Sequence, residues 1–566
     1  MILSALGVLI AAAATAAAIL LAPSRARAVA MLLALVLFPL LILGDQWNSA
    51  QISDLRDDEP RLAFLGIAAL VGAVALAATF RRWPIALPLA IVFALPFRIP
   101  LESGGDTANL LVPLYLVIAG GVLSCAVREW QEGGGAPHLQ PESRGTPLRE
   151  PEDRGTPLLQ PALRRPFGFL PGAAHKLPQG GTPVLLLPYV LAGVVLLYSL
   201  QTLYSPDFSK SLQNVCFFFV PFSLVYALLR DVRWDSRLLK LVLWVLAVEA
   251  VAFVAVGSIE YFSRELFWND QVIRSNEFHT YFRVNSIFWD PNIYGRYLAL
   301  VIVIAMSALL WAKERKTFAL LTGLVAVLWL GLVPTFSQSS FAALLAGLAV
   351  LAALRWSWRW TLAAVGAGAV LAVVIVLFSG GVSKLSPDRL NVDTGGRANL
   401  VSGGTDLFAQ RPLWGYGSGS FPRAYSEHIA TRKAPVSVSH TEPITVAAEQ
   451  GLIGLLAYAA LIAMALWTMA YGLRWADLGW RRGGGALLRE LVSSPWPEPK
   501  RPPQRGFPEG GTPTPTQTIA RAAVLASFVA LLIHTMAYAG FYEDPITWVL
   551  LAVGASLAAV PVRTET

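Results

Sequence analysis

The sequence is dominated by long apolar runs, most of them close to the roughly 20 residues that a helix needs to cross a bilayer. Because hydrocarbon offers no hydrogen-bond partners, backbone polar groups there must be paired within helices or closed barrels. One run, residues 85–97, is short and bounded by prolines. We therefore expect an all-α, polytopic helical bundle of about 14–15 transmembrane helices. The runs are residues 2–21, 28–43, 62–80, 85–97, 109–127, 183–203, 212–229, 238–256, 293–311, 318–333, 341–354, 362–378, 444–471, 520–538 and 546–560.

Composition excludes several other classes of protein. Of the 566 residues, 55% are hydrophobic and 14% charged, which is too apolar for a set of soluble domains. The two cysteines, Cys125 and Cys216, both lie in apolar runs, so a disulfide framework or a cysteine metal site is not expected. The net charge of +8 is spread between the apolar runs, so we expect no nucleic-acid partner.

The distribution of basic residues predicts a topology. Short loops rich in Lys and Arg alternate with basic-poor loops, and by the positive-inside rule the rich ones are cytoplasmic. The N-terminus is then outside and the C-terminus inside. No basic residue precedes the first apolar run, so we interpret that run as a retained span and not as a signal peptide. The basic-rich loops carry Arg25, Arg27, Arg81, Arg82, Arg230, Arg233, Arg237, Lys240, Lys313, Arg315, Lys316, Arg355 and Arg359, and the others carry Arg56, Arg61, Arg98 and Lys210.

Composition also divides the chain into five parts. Two stretches rich in Pro, Gly and charge cannot bury a core, and we expect them to be disordered cytoplasmic insertions. Two segments on the other side have more ordered compositions and are where chemistry is expected. The parts are residues 1–127 (N-terminal helices), 128–182 (insertion), 183–379 (central helices, with outer segment 257–291), 380–443 (large extracytoplasmic loop) and 444–566 (C-terminal helices, with insertion 483–517).

Five motifs in the second half of the chain occur in a characteristic order. An Arg283 motif runs to Gly295 (RVNSIFWDPNIYG), Gly-Gly-Arg ends at Arg397, and residues 408–421 read FAQRPLWGYGSGSF. Residues 439–443 read SHTEP and residues 448–454 read AEQGLIG. This order and spacing resembles the bacterial O-antigen ligase and polymerase family over roughly residues 183–560. Two positions depart from the family pattern, since Thr441 replaces the usual Asn and Ser337-Gln338 replaces Ser-Arg.

The resemblance implies a glycosyltransferase that moves a glycan from a polyprenyl pyrophosphate carrier to a hydroxyl acceptor. It implies a bacterial cytoplasmic (inner) membrane protein with an extracytoplasmic active site, without metal or cofactor, whose partners are the lipid-linked donor, a lipid or glycan acceptor and membrane lipids. His440, Arg397 and Arg283 are the predicted catalytic residues. The predicted substrate-binding residues are Arg411, Asn292, Gly415, Gly417, Glu449 and His534.

Elementary chemistry agrees with these residue types. The fixed fork of arginine suits diphosphate oxygens, and a histidine with a pKa near neutrality can take the proton of an attacking hydroxyl. The glycines are as well explained by a tight backbone path, and Glu449 by helix packing. We expect His279 and His428 to be structural.

Three alternatives to a ligase remain open. A surface-polysaccharide polymerase would share these motifs and differ only in its acceptor. A metal-dependent polyprenyl-phosphate sugar transferase would use the acidic loop at Asp57 and Asp58, for which a solvated loop is the simpler explanation. A transporter or flippase would need only the many spans, but it would concentrate its polar groups near the bilayer midplane.

Overall fold

A computed structural model describes residues 2–47, 53, 58–103, 106–132, 182–278, 281–378, 396–429, 438–471, 473 and 514–559. Over these residues the protein is a bundle of long helices, twelve of which are long and apolar enough to cross a membrane by length and composition. The predicted all-α polytopic fold is confirmed. Within the described residues, the one departure from helix is a single two-stranded antiparallel hairpin, in which Ile99 pairs with Leu110.

The helices in chain order are α1 (Ile2–Leu20), α2 (Arg25–Asp45), α3 (Glu59–Arg82), α4 (Ala86–Ala94), α5 (Val112–Glu132), α6 (Thr182–Gln201), α7 (Phe208–Asn214), α8 (Val220–Leu229), α9 (Ser236–Ser263), α10 (Asp270–Phe278), α11 (Pro291–Leu310), α12 (Arg315–Leu332), α13 (Gln338–Arg355), α14 (Trp358–Phe378), α15 (Arg397–Gln410), α16 (Phe421–His428), α17 (Glu442–Ala470), α18 (Pro515–Thr535) and α19 (Pro545–Ala558). Strands β1 (Ile99–Ser103) and β2 (Asp106–Leu110) lie between α4 and α5. Short 3-10 turns at Thr202–Tyr204 and Val333–Thr335 and a π turn at Val215–Phe219 join neighbouring helices.

Some boundaries differ from the sequence prediction. The run 85–97 forms only the nine-residue helix α4, because the chain leaves the helix before Pro96 and continues into β1. Helix α9 continues to Ser263, into the predicted outer segment 257–291. Most of the predicted insertions 128–182 and 483–517 lies outside the described residues, where α5 ends at Glu132 and α18 begins at Pro515.

One end of the bundle carries residues 264–278, 281–290, 396–429 and 438–441, and we call it the loop face. Helices that begin there are capped by their own sequence. The Asp290 carboxylate accepts from the backbone N–H of Asn292 at 2.6 Å at the start of α11, and Asp544 does the same for Ile546 at 2.9 Å at the start of α19. A proline at the first helical position follows each cap.

Helix α11 lies at the centre of the half of the bundle that supports this face. It packs against α12, α13 and α18, and most of its side chains are buried. By contrast, α3 lies at the periphery with few buried side chains. The first turns of α11 therefore hold polar residues in the middle of the loop face, while its later turns are apolar except for Ser307.

Candidate active site

The glycine-rich turn of residues 412–421 is tightly joined to α17. Gly415, Gly417 and Gly419 have φ values of 67°, 105° and 68°, the left-handed region that glycine adopts most readily. A Cβ on Gly415 would lie 2.3 Å from the carbonyl oxygen of Glu449, and one on Gly417 would lie 2.5 Å from the Cα of Ser205. These glycines are required because two backbones approach closely.

Helix α17 opens to receive this turn. At Gly451 the φ of 66° breaks the helix, and the freed carbonyls accept from the turn: Tyr416 N–H bonds Ala448 O at 3.1 Å and Gly417 N–H bonds Glu449 O at 2.7 Å. The Glu449 carboxylate accepts from the backbone N–H groups of Gly419 at 2.8 Å and Phe421 at 3.0 Å. These contacts give Gly415, Gly417 and Glu449 a structural role, and substrate binding by them stays a prediction.

The end of the large loop is tied to the turn between α18 and α19. Ser439 Oγ bonds the hydroxyl of Thr445 at 2.8 Å, and the Thr441 hydroxyl donates to Met536 O at 3.1 Å. The Glu442 carboxylate accepts from the N–H groups of Gly540 at 2.7 Å and Phe541 at 3.1 Å. Thr441, which departs from the family pattern, thus still fixes the chain on one side of His440.

His440 lies between these anchors on a backbone with φ of 61°. Its side chain is half-buried, and its ring makes no hydrogen bond with any other residue that the structure describes. Burial and the charge of Arg397 lower the pKa of His440, while Asp290 acts in the opposite direction. At neutral pH the imidazole is therefore uncharged and can accept a proton.

Arg283 is held in one orientation by four hydrogen bonds. Its backbone N–H and carbonyl pair with the Asn276 side chain at 3.0 and 2.9 Å. Its Nε donates to Thr335 O at 2.9 Å and its Nη2 donates to Asn292 Oδ1 at 3.2 Å. Asn292, predicted to bind substrate, thus positions this guanidinium. The Arg283 Nη1 atom has no partner among the described residues and is free for a ligand.

Arg397 connects Arg283 and His440 electrostatically. It is the first residue of α15, with an exposed side chain that makes no hydrogen bond or ion pair to other residues in the described ranges. Burial lowers the pKa of Arg283, and Arg397 lowers it further. Since Arg397 also lowers the pKa of His440, its charge lies close to both. The structure therefore brings together residues from three separate segments of the chain.

Two members of this group were missed by the sequence analysis. Asp290, the cap of α11, is the carboxylate whose charge opposes the pKa shifts of Arg283 and His440. Tyr538 follows α18, and burial together with Asp290 raises its pKa, so its hydroxyl is neutral and lies in the electrostatic surroundings of Arg283. The Asp-Pro-Asn sequence signalled a helix cap at Asp290, but no local pattern signals Tyr538.

The other predicted residues have different surroundings. Arg411 is exposed and stacks on Tyr416, with its guanidinium 4.4 Å from the ring centre. The centre of the His428 ring lies 5.1 Å from the centre of the same Tyr416 ring. His534 is fully buried and bonds Ser339 Oγ at 3.2 Å. Of the acidic loop, Asp58 caps α3 through Arg61, whereas Asp57 and likewise His279 lie outside the described residues.

Part of the chain is similar to a known protein family. The family model described as O-antigen ligase matches residues 323–459. The chain carries an O-antigen ligase domain. This domain covers about a quarter of the chain and contains Arg397, Arg411, His440 and Glu449, but not Arg283. No curated protein matches the sequence. The O-antigen ligase domain thus contributes the glycine-rich turn and Arg397, and the loop before α11 contributes Arg283.

Proposed function

We propose that the protein is a membrane glycosyltransferase that moves a glycan from a polyprenyl pyrophosphate to a hydroxyl acceptor, with Arg283, Arg397 and His440 as its reacting groups. The observation that carries this proposal is the electrostatic grouping of the three residues, joined from separate segments. Their chemistry matches such a transfer, since two guanidinium groups suit a diphosphate and a neutral imidazole suits a hydroxyl.

The arginines act on the leaving group. The diphosphate leaves from the anomeric carbon with the electron pair of the C1–O bond, so negative charge grows on its bridging oxygen. Arg283, held by Thr335 and Asn292, presents its free Nη1 to that charge without reorganisation. Arg397 is less constrained and is suited to closing on the donor as it binds.

His440 acts on the nucleophile. The acceptor oxygen attacks C1 on the face opposite the diphosphate while its proton passes to a ring nitrogen of His440, so the anomeric configuration inverts. Because Arg397 lowers the pKa of His440, a bound diphosphate that offsets Arg397 makes the imidazole a stronger base. Donor binding thus prepares the base for the acceptor.

The charge pattern of the loops indicates on which side of the membrane the loop face lies. Since the loop face is opposite the basic-rich loops, we place it outside the bacterial cytoplasmic membrane, where lipid-linked glycans are presented. A polymerase would use the same three residues to extend a growing glycan. The grouping of Arg283, Arg397 and His440 does not favour a glycan acceptor over a lipid acceptor. A metal-dependent transferase would act through Asp57 and Asp58, and Asp57 lies outside the described residues. The described residues hold no group of three or more His, Cys, Asp or Glu side chains that could bind a metal ion.

The test is transfer from a synthetic polyprenyl-pyrophosphate glycan by purified protein in the presence of EDTA. We expect turnover to persist under chelation and to fall by about 10²–10⁴-fold in His440→Ala, the usual effect of losing a general base. The matched control is His428→Ala, which removes a histidine of the same loop that contacts Tyr416. Loss of turnover under chelation with rescue by a divalent ion would instead favour the acidic loop.

A further inference from the structure

A long apolar groove runs along the bundle, away from the proposed active site. It has a volume of about 1060 Å³ and is lined by α9, α12, α18 and α19, with buried residues of α11 at its base. Several of its wall residues are more than half exposed, among them Trp244, Val248 and Leu320. Apolar side chains that are exposed on spanning helices face lipid. The groove therefore opens sideways to the bilayer, where a hydrocarbon chain can enter it.

The groove is about as long as one leaflet of a membrane. Its lining covers residues 239–251 of α9, 317–327 of α12 and 516–527 of α18. At a rise of 1.5 Å per residue, these stretches are about 15–18 Å long. One leaflet supplies half of the roughly 30 Å hydrocarbon core of a bilayer. The length of the groove therefore matches the acyl chain of one phospholipid.

The polar end of the groove lies at the end of the bundle opposite the loop face, where α9, α12 and α18 begin. We call this end the mouth, and Trp234, Lys240, Thr317 and Thr516 line it. The Gln517 side chain donates to Trp234 O at 3.0 Å and so joins the start of α18 to the segment before α9. Tryptophan and lysine are typical of the headgroup depth of a membrane. The groove is thus polar at its mouth and mainly apolar beyond it.

The chain around the mouth is basic. Residues 230–240 and 311–317 contain seven Lys and Arg side chains and three carboxylates, an excess of four positive charges. Each carboxylate already accepts a hydrogen bond within the protein; they are Asp231, Asp235 and Glu314. Lys240 is exposed and makes no hydrogen bond or ion pair with any residue that the structure describes. The mouth therefore favours a negatively charged headgroup.

We propose that the groove binds an anionic phospholipid from the leaflet next to the basic-rich loops. Its acyl chain lies along α12 and its phosphate lies beside Lys240. The polyprenyl carrier is a less suitable occupant, because its phosphates would have to lie at the loop face, and the polar end of the groove is at the opposite end. This lipid site is separate from the proposed transfer reaction and does not depend on it.

A bound lipid would support a helix that the rest of the bundle holds on one side. Helix α12 packs mainly on α9 and α11, and the groove separates it from α18 and α19. A chain in the groove gives α12 the contacts that these two helices do not supply. We therefore expect the anionic lipid to raise the thermal midpoint of unfolding.

The test measures binding of three lipids to the full-length protein in detergent by native mass spectrometry. The lipids are dioleoyl phosphatidylglycerol, dioleoyl phosphatidylcholine and polyprenyl monophosphate. Lys240→Gln removes the charge at the mouth. Gly323→Phe fills the groove, because Gly323 lines it and a Cβ there meets nothing within 4 Å.

Two variants in α3, which does not line the groove, are the matched controls. Arg82→Gln removes an exposed arginine at the same end of the bundle as Lys240. Gly66→Phe adds a ring at an exposed glycine whose Cβ likewise meets nothing within 4 Å. Both controls should bind all three lipids as the wild type does.

We expect the wild type to bind phosphatidylglycerol more tightly than phosphatidylcholine. Lys240→Gln should weaken phosphatidylglycerol by about fivefold, the effect of one lysine close to an anionic lipid, and should leave phosphatidylcholine unchanged. Gly323→Phe should remove the saturable binding of both phospholipids.

Three results would overturn the inference. The first is equal affinity of the wild type for the two phospholipids, and the second is wild-type binding of phosphatidylglycerol by Lys240→Gln or Gly323→Phe. The third is displacement of phosphatidylglycerol by a lower concentration of polyprenyl monophosphate, with loss of that binding in Gly323→Phe. This last result would assign the groove to the hydrocarbon chain of the glycan carrier.

Discussion

His440 combines an unusual backbone with an unusual electrostatic environment. Its φ of 61° is a conformation that costs a non-glycine residue on the order of 1–3 kcal/mol, and the bonds of Ser439, Thr441 and Glu442 to neighbouring elements maintain it. The imidazole lies within the electrostatic reach of Arg397 and Asp290. Burial, together with the charges of these two side chains, sets the protonation state of the base.

The pH dependence of transfer tests this environment. Because burial and Arg397 lower the pKa of His440 below its ordinary value of 6.5, kcat/KM should rise with pH along a limb centred below pH 6.5 and then level off. Arg397→Gln removes a cation that opposes protonation, so the pKa rises and the limb moves to higher pH. If the limb stays in place or moves to lower pH in Arg397→Gln, Arg397 does not lower the pKa of His440. Arg423→Gln, at an exposed arginine that pairs with Glu427, serves as the control.

Sequence motifs predicted a catalytic role for Arg283, Arg397 and His440 because each occurs in a characteristic local pattern. The local pattern at Asp290 signalled only a helix cap, and no pattern signalled Tyr538. Their relevance depends on which side chains meet across α11 and the turn after α18, and this is a property of tertiary packing. The sequence also predicted that Asn292 binds the substrate; its Oδ1 accepts from Arg283, and substrate binding by Asn292 stays a prediction.

At the scale of elements, the glycine turn and the break in α17 depend on each other. Gly417→Ala would force a Cβ to within 2.5 Å of Ser205 on a backbone with φ of 105°. We expect the free energy of unfolding to fall by about 1–3 kcal/mol or more, and the thermal midpoint of unfolding to fall with it. Gly193→Ala is the matched control, because a Cβ there meets nothing within 4 Å in α6 and should cost nothing. Equal thermal midpoints for Gly417→Ala and Gly193→Ala would contradict the close approach of the backbones at Gly417 and Ser205.

Hydropathy predicted the spanning helices well, because the requirement for paired backbone groups in lipid leaves a chain few choices. It predicted the loop-face elements poorly. Helices α10, α15 and α16 are short and polar, and α15 and α16 pack together through an apolar cluster that includes Leu407, Phe421 and Tyr425. The hairpin after α4 was missed because the prolines and an Arg in that region indicated only the end of a span.

For the whole molecule, the positive-inside rule predicts that the loop face is extracytoplasmic. Both native cysteines are buried, so introduced cysteines can be labelled with little background. A membrane-impermeant maleimide should label Arg423→Cys in intact cells and Lys313→Cys only after permeabilisation, since both side chains are exposed at opposite ends of the bundle. The reverse pattern would place the loop face in the cytoplasm and contradict the proposed function.

The bundle brings Arg283 and Arg397 to the same face, although they lie more than 100 residues apart in sequence. The proposed function depends on these two arginines acting together. The most direct measurement is kcat/KM for glycan transfer by Arg283→Gln, Arg397→Gln and the double variant. If both arginines act on one diphosphate, the double variant should lose much less than the product of the two single losses. Losses that multiply independently, or single variants as active as the wild type, would contradict a shared site.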